Sequence, residues 1–313
     1  MDFRYMNPEI FERKRDYVTK RLDEIGVFSK FKKENIESMY KKKIGVTYNT
    51  YIDVPGKNFL MVELPHCNMQ CGYCDKVHLL YVREEPEMQI NYITVLEFLE
   101  HYFMASQYRN IVISGGEPLL DIKDDSKLNN KVFTLLLTFI VHSHNREVKI
   151  HTNGTNYSTI KHMCDTLSPD KYNIFIPDYL ALDIKCSKET YPTMFNSSCL
   201  CDPKLLIDNI FKTLDLVQNL PTYSNGPTNT FKVEIVTPLI PEISTLDEID
   251  RLLPFIRIKT SWKFRVFRKK GQHVDPFFNR TYCLLDEENW DLVNAAKRKV
   301  IGAEMIIEKK TYK

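Results

Sequence analysis

The chain has 313 residues, a formal net charge of +2, 43% hydrophobic and 27% charged residues, and only 10 glycines. About 22 glycines would be usual at this length, so this composition excludes collagen-like, glycine-linker and low-complexity chains and indicates an ordinary folded protein. The near-neutral charge gives no general attraction to nucleic acid or to an anionic membrane, so neither is expected as a partner.

Nothing in the sequence predicts a membrane anchor or an export signal. The longest uncharged apolar run covers residues 132–141, whereas a membrane-spanning helix needs about 20 residues. The N-terminal segment is charged throughout and lacks the apolar stretch of a secretory signal peptide. We therefore expect a cytoplasmic protein whose 8 cysteines remain thiols and are candidates for metal ligands rather than for disulfides.

Residues 1–45 predict a helical N-terminal extension. Four apolar residues recur at helical spacing and predict one amphipathic helix: Ile10, Phe11, Val18 and Leu22. The sequence of residues 28–40 indicates a second helix. Beyond this extension the sequence pattern indicates strands that alternate with helices.

Residues 46–270 predict the core domain, in which short apolar strands alternate with helices. The predicted strands cover residues 59–64, 110–114, 147–151, 179–184, 231–236 and 263–267. The predicted helices between them cover residues 93–105, 131–143, 158–167, 204–218 and 246–255. Residues 271–313 predict a C-terminal extension with a helix over 287–298 and an edge strand over 304–308. Six strand-then-helix units indicate an α/β fold, a partial (β/α)6 barrel with a parallel sheet and helices outside.

A cysteine triplet with the spacing C-x3-C-x2-C follows the first predicted strand, where parallel folds carry their chemistry. It consists of Cys67, Cys71 and Cys74. Structural zinc sites usually take four ligands from paired C-x2-C knuckles, and no second knuckle is present in the sequence. Three thiolates suit an iron–sulfur cube with one open iron, although an unusual zinc site or three coincidental thiols remain alternatives.

With Tyr73 just before its third cysteine, the triplet resembles the hallmark loop of the radical S-adenosylmethionine (SAM) superfamily. The resemblance implies a radical-SAM barrel in which the three cysteines hold a [4Fe–4S] cluster. It also implies that the fourth iron binds the amino and carboxylate groups of SAM and that Tyr73 lies beside the adenine. Reduction by one electron then cleaves SAM into methionine and a 5′-deoxyadenosyl radical.

Further motifs at predicted strand ends resemble the SAM site of that superfamily. Gly115-Gly116-Glu117-Pro118 resembles its second motif, in which glycines allow close backbone approach and Glu117 accepts from the SAM ammonium. Thr152 and Asn153 suit hydrogen bonds to the SAM ribose or carboxylate, while His151 stands where related enzymes have an acid. The complete set of predicted SAM-site residues is Tyr73, Gly115, Gly116, Glu117, Thr152, Asn153, Asp183 and Lys185.

Asp183-Ile184-Lys185 ends the fourth predicted strand and resembles the Asp-x-Lys of glycyl-radical activating enzymes. An acid and a base two residues apart on a strand point to the same face, which suits a shared task such as SAM positioning. The alternative is that Asp183 and Lys185 form an ordinary ion pair on the protein surface.

Three hypotheses describe what the radical does. Asp53-Val-Pro-Gly56 and residues 234–241 resemble activating enzymes of the anaerobic ribonucleotide reductase type, which abstract a glycine hydrogen from a partner glycyl-radical enzyme. The pair Cys74-Asp75 and residues 152–155 resemble 7-carboxy-7-deazaguanine synthases, which act on a small pterin. The third hypothesis is a non-catalytic iron–sulfur protein. Either enzyme needs a one-electron donor of the flavodoxin or ferredoxin type.

Two further features lie outside these motifs. Cys199 and Cys201, with Cys186 and Cys283, are either a second metal site or separate thiols. The basic residues Lys263, Arg265, Arg268, Lys269 and Lys270 predict a solvated strand face, with docking of an acidic electron donor as the alternative.

Overall fold

The computed structural model describes residues 7–50, 57–81, 91–105, 109–165, 174–195, 202–220, 231–257, 260–267, 273–280, 286–301 and 303–306. The strands in these segments are β1 Lys43–Thr50, β2 Phe59–Leu64, β3 Asn91–Thr94, β4 Asn110–Gly115, β5 Val148–Thr152, β6 Tyr179–Asp183, β7 Lys232–Leu239, β8 Ser261–Val266 and β9 Ala303–Ile306. The α-helices are α1 Pro8–Glu24, α2 Lys33–Glu37, α3 Val77–Tyr81, α4 Val95–Met104, α5 Asn130–Ser143, α6 Tyr157–Asp165, α7 Pro203–Gln218, α8 Leu246–Leu252, α9 Pro276–Arg280 and α10 Asp286–Lys297.

The strands form one sheet in the order β3-β1-β2-β4-β5-β6-β7-β8-β9. All neighbours from β2 to β9 are parallel, whereas β1 pairs antiparallel with both β2 and β3. The six strands predicted from the sequence are therefore adjacent and in chain order. A mixed α/β fold with a mostly parallel sheet is confirmed, and it is compatible with a barrel-like fold of the radical-SAM kind.

The two faces of the sheet differ in chemistry. Side chains alternate along a strand, and one set forms the main core with the helices. Members of this set are Leu60, Val62, Ile111, Ile113, Ile150, Leu180, Leu182, Ile235, Trp262 and Phe264. The opposite face carries a separate small apolar cluster of Phe59, Val112 and Tyr179, against which Met61 packs. Most other side chains of this face are polar or charged, with Ala181 and Val236 as buried exceptions.

This second face is concave. The rings of Phe59 on β2 and Tyr179 on β6 have centroids only 6.4 Å apart, although β4 and β5 lie between those strands. Three strand spacings of a flat sheet would separate them by about 14 Å. The sheet therefore curls around its polar face, as a partial barrel does, and the helices cover its convex side.

In the N-terminal extension the first predicted helix is present, but the second is shorter than predicted. Helix α1 is present, starts after an Asn7 side chain that accepts from the Glu9 N–H, and buries Val18 and Leu22. Residues 28–40, however, contain only the short α2, preceded by a 3-10 turn at Val27–Ser29. The Ser29 hydroxyl donates to the Gly26 carbonyl at 2.7 Å, a local bond that competes with a continuous helix.

Strand β1 crosses the predicted boundary at residue 45, because it already begins at Lys43. Within the described segments, no helix is long and apolar enough to cross a membrane.

Candidate functional site

The predicted site residues gather at one edge of the sheet. The cysteine loop, residues 67–74, follows β2, Glu117 follows β4, Asn153 follows β5 and Asp183 ends β6. Parallel strands point the same way, so their carboxyl ends meet at a common edge. The sequence prediction that these motifs share an edge is therefore fulfilled by the strand order.

Gly115 and Gly116 are required by close packing of the backbone. Gly115 has φ +115°, a conformation that L side chains rarely adopt. A Cβ on Gly116 would lie 1.8 Å from the His66 carbonyl oxygen, which leaves no space for any side chain. The Gly116 N–H donates to the Leu64 carbonyl at 2.8 Å. The glycine pair thus fixes the chain just before Cys67, while its predicted contact with SAM stays a prediction.

Glu117 is completely buried and connects two strand ends. Its Oε1 accepts from the Leu119 N–H at 2.9 Å and from the Thr152 hydroxyl at 2.7 Å. Its Oε2 accepts from the Asn153 N–H at 2.7 Å. Burial raises the pKa of Glu117 to about 7, although these three hydrogen bonds oppose the rise. An ionised carboxylate offers about four acceptor positions, so Oε2 retains one for a further donor.

Asn153 reaches from β5 to the cysteine loop. Its Nδ2 donates to the Asn68 Oδ1 at 3.1 Å and lies 3.7 Å from the Cys67 sulfur. Its Oδ1 accepts from the Thr155 hydroxyl at 2.6 Å, and Asn68 Nδ2 donates to that same hydroxyl at 2.9 Å. Asn68, Asn153 and Thr155 therefore form a closed ring of hydrogen bonds beside Cys67.

The cysteine loop turns sharply and is largely enclosed. His66 and Gln70 have φ +65° and +48°, and these two turns fold the loop back on itself. Cys71 is buried, and Cys67 and Cys74 are partly buried. Burial raises the pKa of the Cys67 and Cys74 thiols, and the negative charge of Asp75 raises that of Cys74 further. A positively charged group among the sulfurs would offset this desolvation.

The chemistry of the donor set is that of an iron–sulfur site, because three cysteine thiols lie on one short loop. Among the residues that the structure describes, no group of three or more His, Cys, Asp or Glu is placed to hold a metal ion. In a four-iron cluster each of the three cysteines would bind a different iron.

Asp183 and Lys185 form an ion pair that faces the cysteine loop. Lys185 Nζ lies 3.2 Å from Asp183 Oδ2, and Lys185 is buried while Asp183 is partly exposed. Burial favours the neutral carboxyl, but the charges of Lys185, Arg265 and His151 outweigh it and lower the pKa of Asp183. The pair is therefore not a surface ion pair. Its role in SAM positioning stays a prediction.

The prediction of a solvated basic face at β8 is wrong where it can be assessed. Lys263 is only 6% exposed, and its Nζ donates to Glu234 Oε1 at 2.6 Å. Lys149 Nζ donates to the other oxygen of Glu234, also at 2.6 Å. These side chains meet because β5, β7 and β8 turn them towards the concave face. The sequence could not predict the burial of Lys263, because charged and apolar residues alternate along β8 whether the charged face meets solvent or the inside of a curved sheet.

Several predicted features lie outside the described residues. These are Arg268, Lys269, Lys270, Cys199, Cys201, Cys283 and the segment 53–56. Cys186 is described and is fully buried, and burial raises the pKa of its thiol.

Comparison with known proteins places these features in context. No family model matches the chain. Two curated proteins of Methanocaldococcus jannaschii, each named "Putative glycyl-radical enzyme activating enzyme", are similar to it. One is 24% identical over 233 residues, which cover 74% of this chain and 82% of the relative. The other is 30% identical over 193 residues, which cover 61% of this chain and 59% of the relative.

The chain thus spans less than two thirds of the second relative's length. The resemblance to glycyl-radical activating enzymes of the radical SAM superfamily, which the motifs predicted, is confirmed by these relatives at modest identity.

Proposed function

We propose that this protein is a radical SAM enzyme that activates a glycyl-radical enzyme, of the kind that anaerobic ribonucleotide reductases represent. In this proposal Cys67, Cys71 and Cys74 bind a [4Fe–4S] cluster. The partner is a glycyl-radical enzyme, and a flavodoxin or ferredoxin supplies the electron. We further propose that the six central strands act as a partial (β/α)6 barrel and that the enzyme works in the cytoplasm.

One observation carries the proposal: the cysteine loop is joined by hydrogen bonds to the ends of two neighbouring strands. Asn153 connects Cys67 and Asn68 to β5, and Glu117 connects β5 to β4. A protein that merely stores a cluster does not need a buried carboxylate with a vacant acceptor position beside the cysteines. The names of the two relatives support the same function.

Cys67, Cys71 and Cys74 would hold the cluster, which when bound and reduced would supply the electron for SAM cleavage and so the means of abstracting a hydrogen atom from the substrate. The chain's own residues hold the reactant. Glu117 Oε2 offers its remaining acceptor position to the SAM ammonium, and the backbone at Gly115 and Gly116 borders the same space. The charge of that ammonium would lower the pKa of Glu117 and keep the carboxylate ionised.

Lys185 and Asp183 provide opposite charges on the concave side of the cysteine loop. Burial would lower the pKa of Lys185, but the negative charge of Asp183 outweighs it and raises that pKa well above its ordinary value, so the ammonium remains charged. A charged ammonium and a partly exposed carboxylate suit the carboxylate and hydroxyl groups of SAM. Thr152, which donates to Glu117, acts mainly by orienting that carboxylate.

The concave face supplies the space in which the substrate glycine would meet the radical. The buried cluster of Lys149, Glu234 and Lys263 closes this face below the site. Within the segments that the structure describes, this leaves the carboxyl edge, next to the cysteine loop, as the side from which we expect a segment of the partner to enter. Neither relative's name favours the deazaguanine synthase or the non-catalytic hypothesis.

The activating function is tested with a candidate glycyl-radical enzyme from the same organism. Under strict anaerobic conditions the reconstituted protein, SAM and a reductant are mixed with that partner. We expect the doublet of a glycyl radical in the electron paramagnetic resonance spectrum. Deuterium at the Cα of the partner's glycine should appear in 5′-deoxyadenosine.

Two variants complete the experiment. Cys71→Ala should give no doublet, whereas Cys164→Ala, which removes a buried thiol on α6, should give the wild-type doublet. Release of 5′-deoxyadenosine without a doublet from any partner would refute activation and leave the radical SAM chemistry intact.

A further inference from the structure

A segment near the C-terminus lies directly against the cysteine loop. The Val274 N–H donates to the Cys74 carbonyl at 3.1 Å, and the Asp275 N–H donates to the Gly72 carbonyl at 2.8 Å. We call residues 273–278 the clasp. The clasp lies well over a hundred residues from the loop in sequence, so only the folded barrel brings the two together.

Aromatic rings reinforce these backbone bonds. The ring centroid of Phe278 lies 6.3 Å from that of Tyr73, with the planes at 75°, in an edge-to-face contact. On its other side Phe278 contacts Phe267 at the end of β8, at 6.2 Å, and His273, at 6.4 Å. Phe278 therefore bridges the cysteine loop and the end of β8.

Gly72 leaves no gap between the loop and the clasp. A Cβ on Gly72 would lie 3.3 Å from both the Asp275 Cβ and the Phe278 Cε2. On the opposite side the Gly72 N–H donates to the Met194 carbonyl at 3.1 Å, and Cys71 forms an isolated bridge with Phe195. The loop is thus bound from two directions, by the segment after β6 and by the clasp.

A cleft of about 210 Å³ remains between these two supports. Its walls include Met194 and Phe195 on one side and Asp275 and Phe278 on the other, with Gly72 at its base. Removal of the Phe278 ring would widen this cleft directly over the cysteine loop.

We infer that the clasp keeps the cysteine loop closed against solvent, and that Phe278 is its principal positioning residue. Only one consequence of the inference depends on the proposed function: a closed loop should retain its iron. The closure itself is a property of the polypeptide without any metal. It is therefore tested first in the metal-free protein.

The test measures how fast the loop thiols react with a maleimide under anaerobic conditions, residue by residue, by mass spectrometry. Phe278→Ala should increase the labelling rate of Cys71 and Cys74 about tenfold, because the ring contact with Tyr73 is lost together with the contacts to Phe267 and His273 that hold Phe278 in place. The buried thiols of Cys164 and Cys186 are internal references and should react at wild-type rates. Equal acceleration of all four thiols would indicate global unfolding and would overturn a local clasp.

Phe255→Ala is the matched control. Phe255 is a partly exposed phenylalanine in the 3-10 turn after α8, and the ring contact that the structure describes for it is with Phe211 on α7. This variant should leave the labelling of Cys71 and Cys74 unchanged. If it accelerates them as much as Phe278→Ala does, the clasp has no specific role.

Amide hydrogen exchange of the wild-type protein is independent of any variant. The N–H groups of Val274 and Asp275 should be protected in the metal-free protein, and Phe278→Ala should accelerate their exchange. Exchange of both amides at the rate of an unfolded peptide would overturn the proposal, even if Phe278→Ala failed to fold.

Finally, iron retention connects the clasp to the proposed cluster. After anaerobic reconstitution, Phe278→Ala should lose iron to a chelator about tenfold faster than wild type and Phe255→Ala. Faster thiol labelling in protein that binds no iron at all would support the clasp and refute the cluster. Unchanged thiol labelling together with normal iron binding would refute the clasp and support the cluster.

Discussion

The hydroxyl of Thr152 donates to the carboxylate of Glu117 at 2.7 Å, and this bond joins the carboxyl ends of β5 and β4. Thr152 also accepts from the Gly154 N–H at 3.1 Å, so one hydroxyl satisfies two buried groups. The strand ends that frame the cysteine loop are therefore held in register by a threonine that no apolar residue can replace.

Thr152→Val should reduce the free energy of unfolding by about 2–3 kcal/mol, because it leaves a buried carboxylate with one donor fewer and the Gly154 N–H without its acceptor. Thr138→Val is the control. The Thr138 hydroxyl is equally buried but donates to a helix carbonyl, so its loss should cost about 1 kcal/mol or less. Urea unfolding of both variants checks this, and equal losses would contradict the assigned importance of Thr152.

The buried carboxyl of Glu117 should make stability depend on pH. Burial raises its pKa from 4.5 to about 7. Between these two values the unfolded chain releases the proton first, so stability falls as pH rises, by about 3 kcal/mol for this group alone. The difference in unfolding free energy between wild type and Glu117→Gln, measured across this window, should show that fall. A difference that is constant with pH would refute the raised pKa.

Gly116→Ala should be far more damaging than an ordinary glycine replacement. The new methyl would overlap the His66 carbonyl, so the backbone before Cys67 must move, and we expect a loss of more than about 3 kcal/mol. Gly26→Ala, whose methyl would meet only the Ser29 Oγ at 3.9 Å, should cost about 1 kcal/mol despite the φ of +78°. Thermal unfolding of the two variants compares them, and similar losses would show that the backbone contact is unimportant.

Glu234 is the shared counter-charge of two buried lysines. Glu234→Gln should destabilise the fold by about 3–5 kcal/mol, because Lys149 and Lys263 then lose the carboxylate that compensates their burial. The surface variant Glu37→Gln, which loses only a 3.9 Å contact with Lys33, should change stability by about 0–1 kcal/mol. Denaturant unfolding measures both, and a negligible effect at Glu234 would contradict the buried cluster.

Much of the fold was predictable because apolar strands in a parallel sheet are short, continuous and easily recognised. Strand β2 was predicted to the residue, and β4 ends one residue later than predicted. The missed strands β1 and β3 are antiparallel and lie on the edge side of β2. Their apolar residues, such as Ile44 and Val46 of β1, alternate with others instead of forming a continuous run, so they lack that signal. Residues 93 and 94 were assigned to a helix, yet Thr94 caps α4 through a reciprocal bond with Glu97, a pattern visible in the sequence.

The sequence predicts that the motifs meet at one edge of the sheet, but it does not predict the side chains that support them. Asn68 lies inside the cysteine spacing and Thr155 ends the motif segment 152–155, yet the motifs assign a hydrogen bond to neither. The clasp could not be predicted at all, because its contacts with residues 71–74 depend on curvature of the whole sheet. Sequence spacing indicates candidate ligands, whereas the residues that support them are determined by tertiary packing.

Reductive cleavage of SAM is the measurement that tests the central claim most directly. Anaerobically reconstituted protein, mixed with dithionite and SAM but with no partner, should release 5′-deoxyadenosine and methionine. Cys71→Ala should release neither, because the loop can no longer hold the cluster. If wild-type protein with an intact cluster releases no 5′-deoxyadenosine, or if Cys71→Ala releases as much as wild type, the assignment as a radical SAM enzyme is wrong.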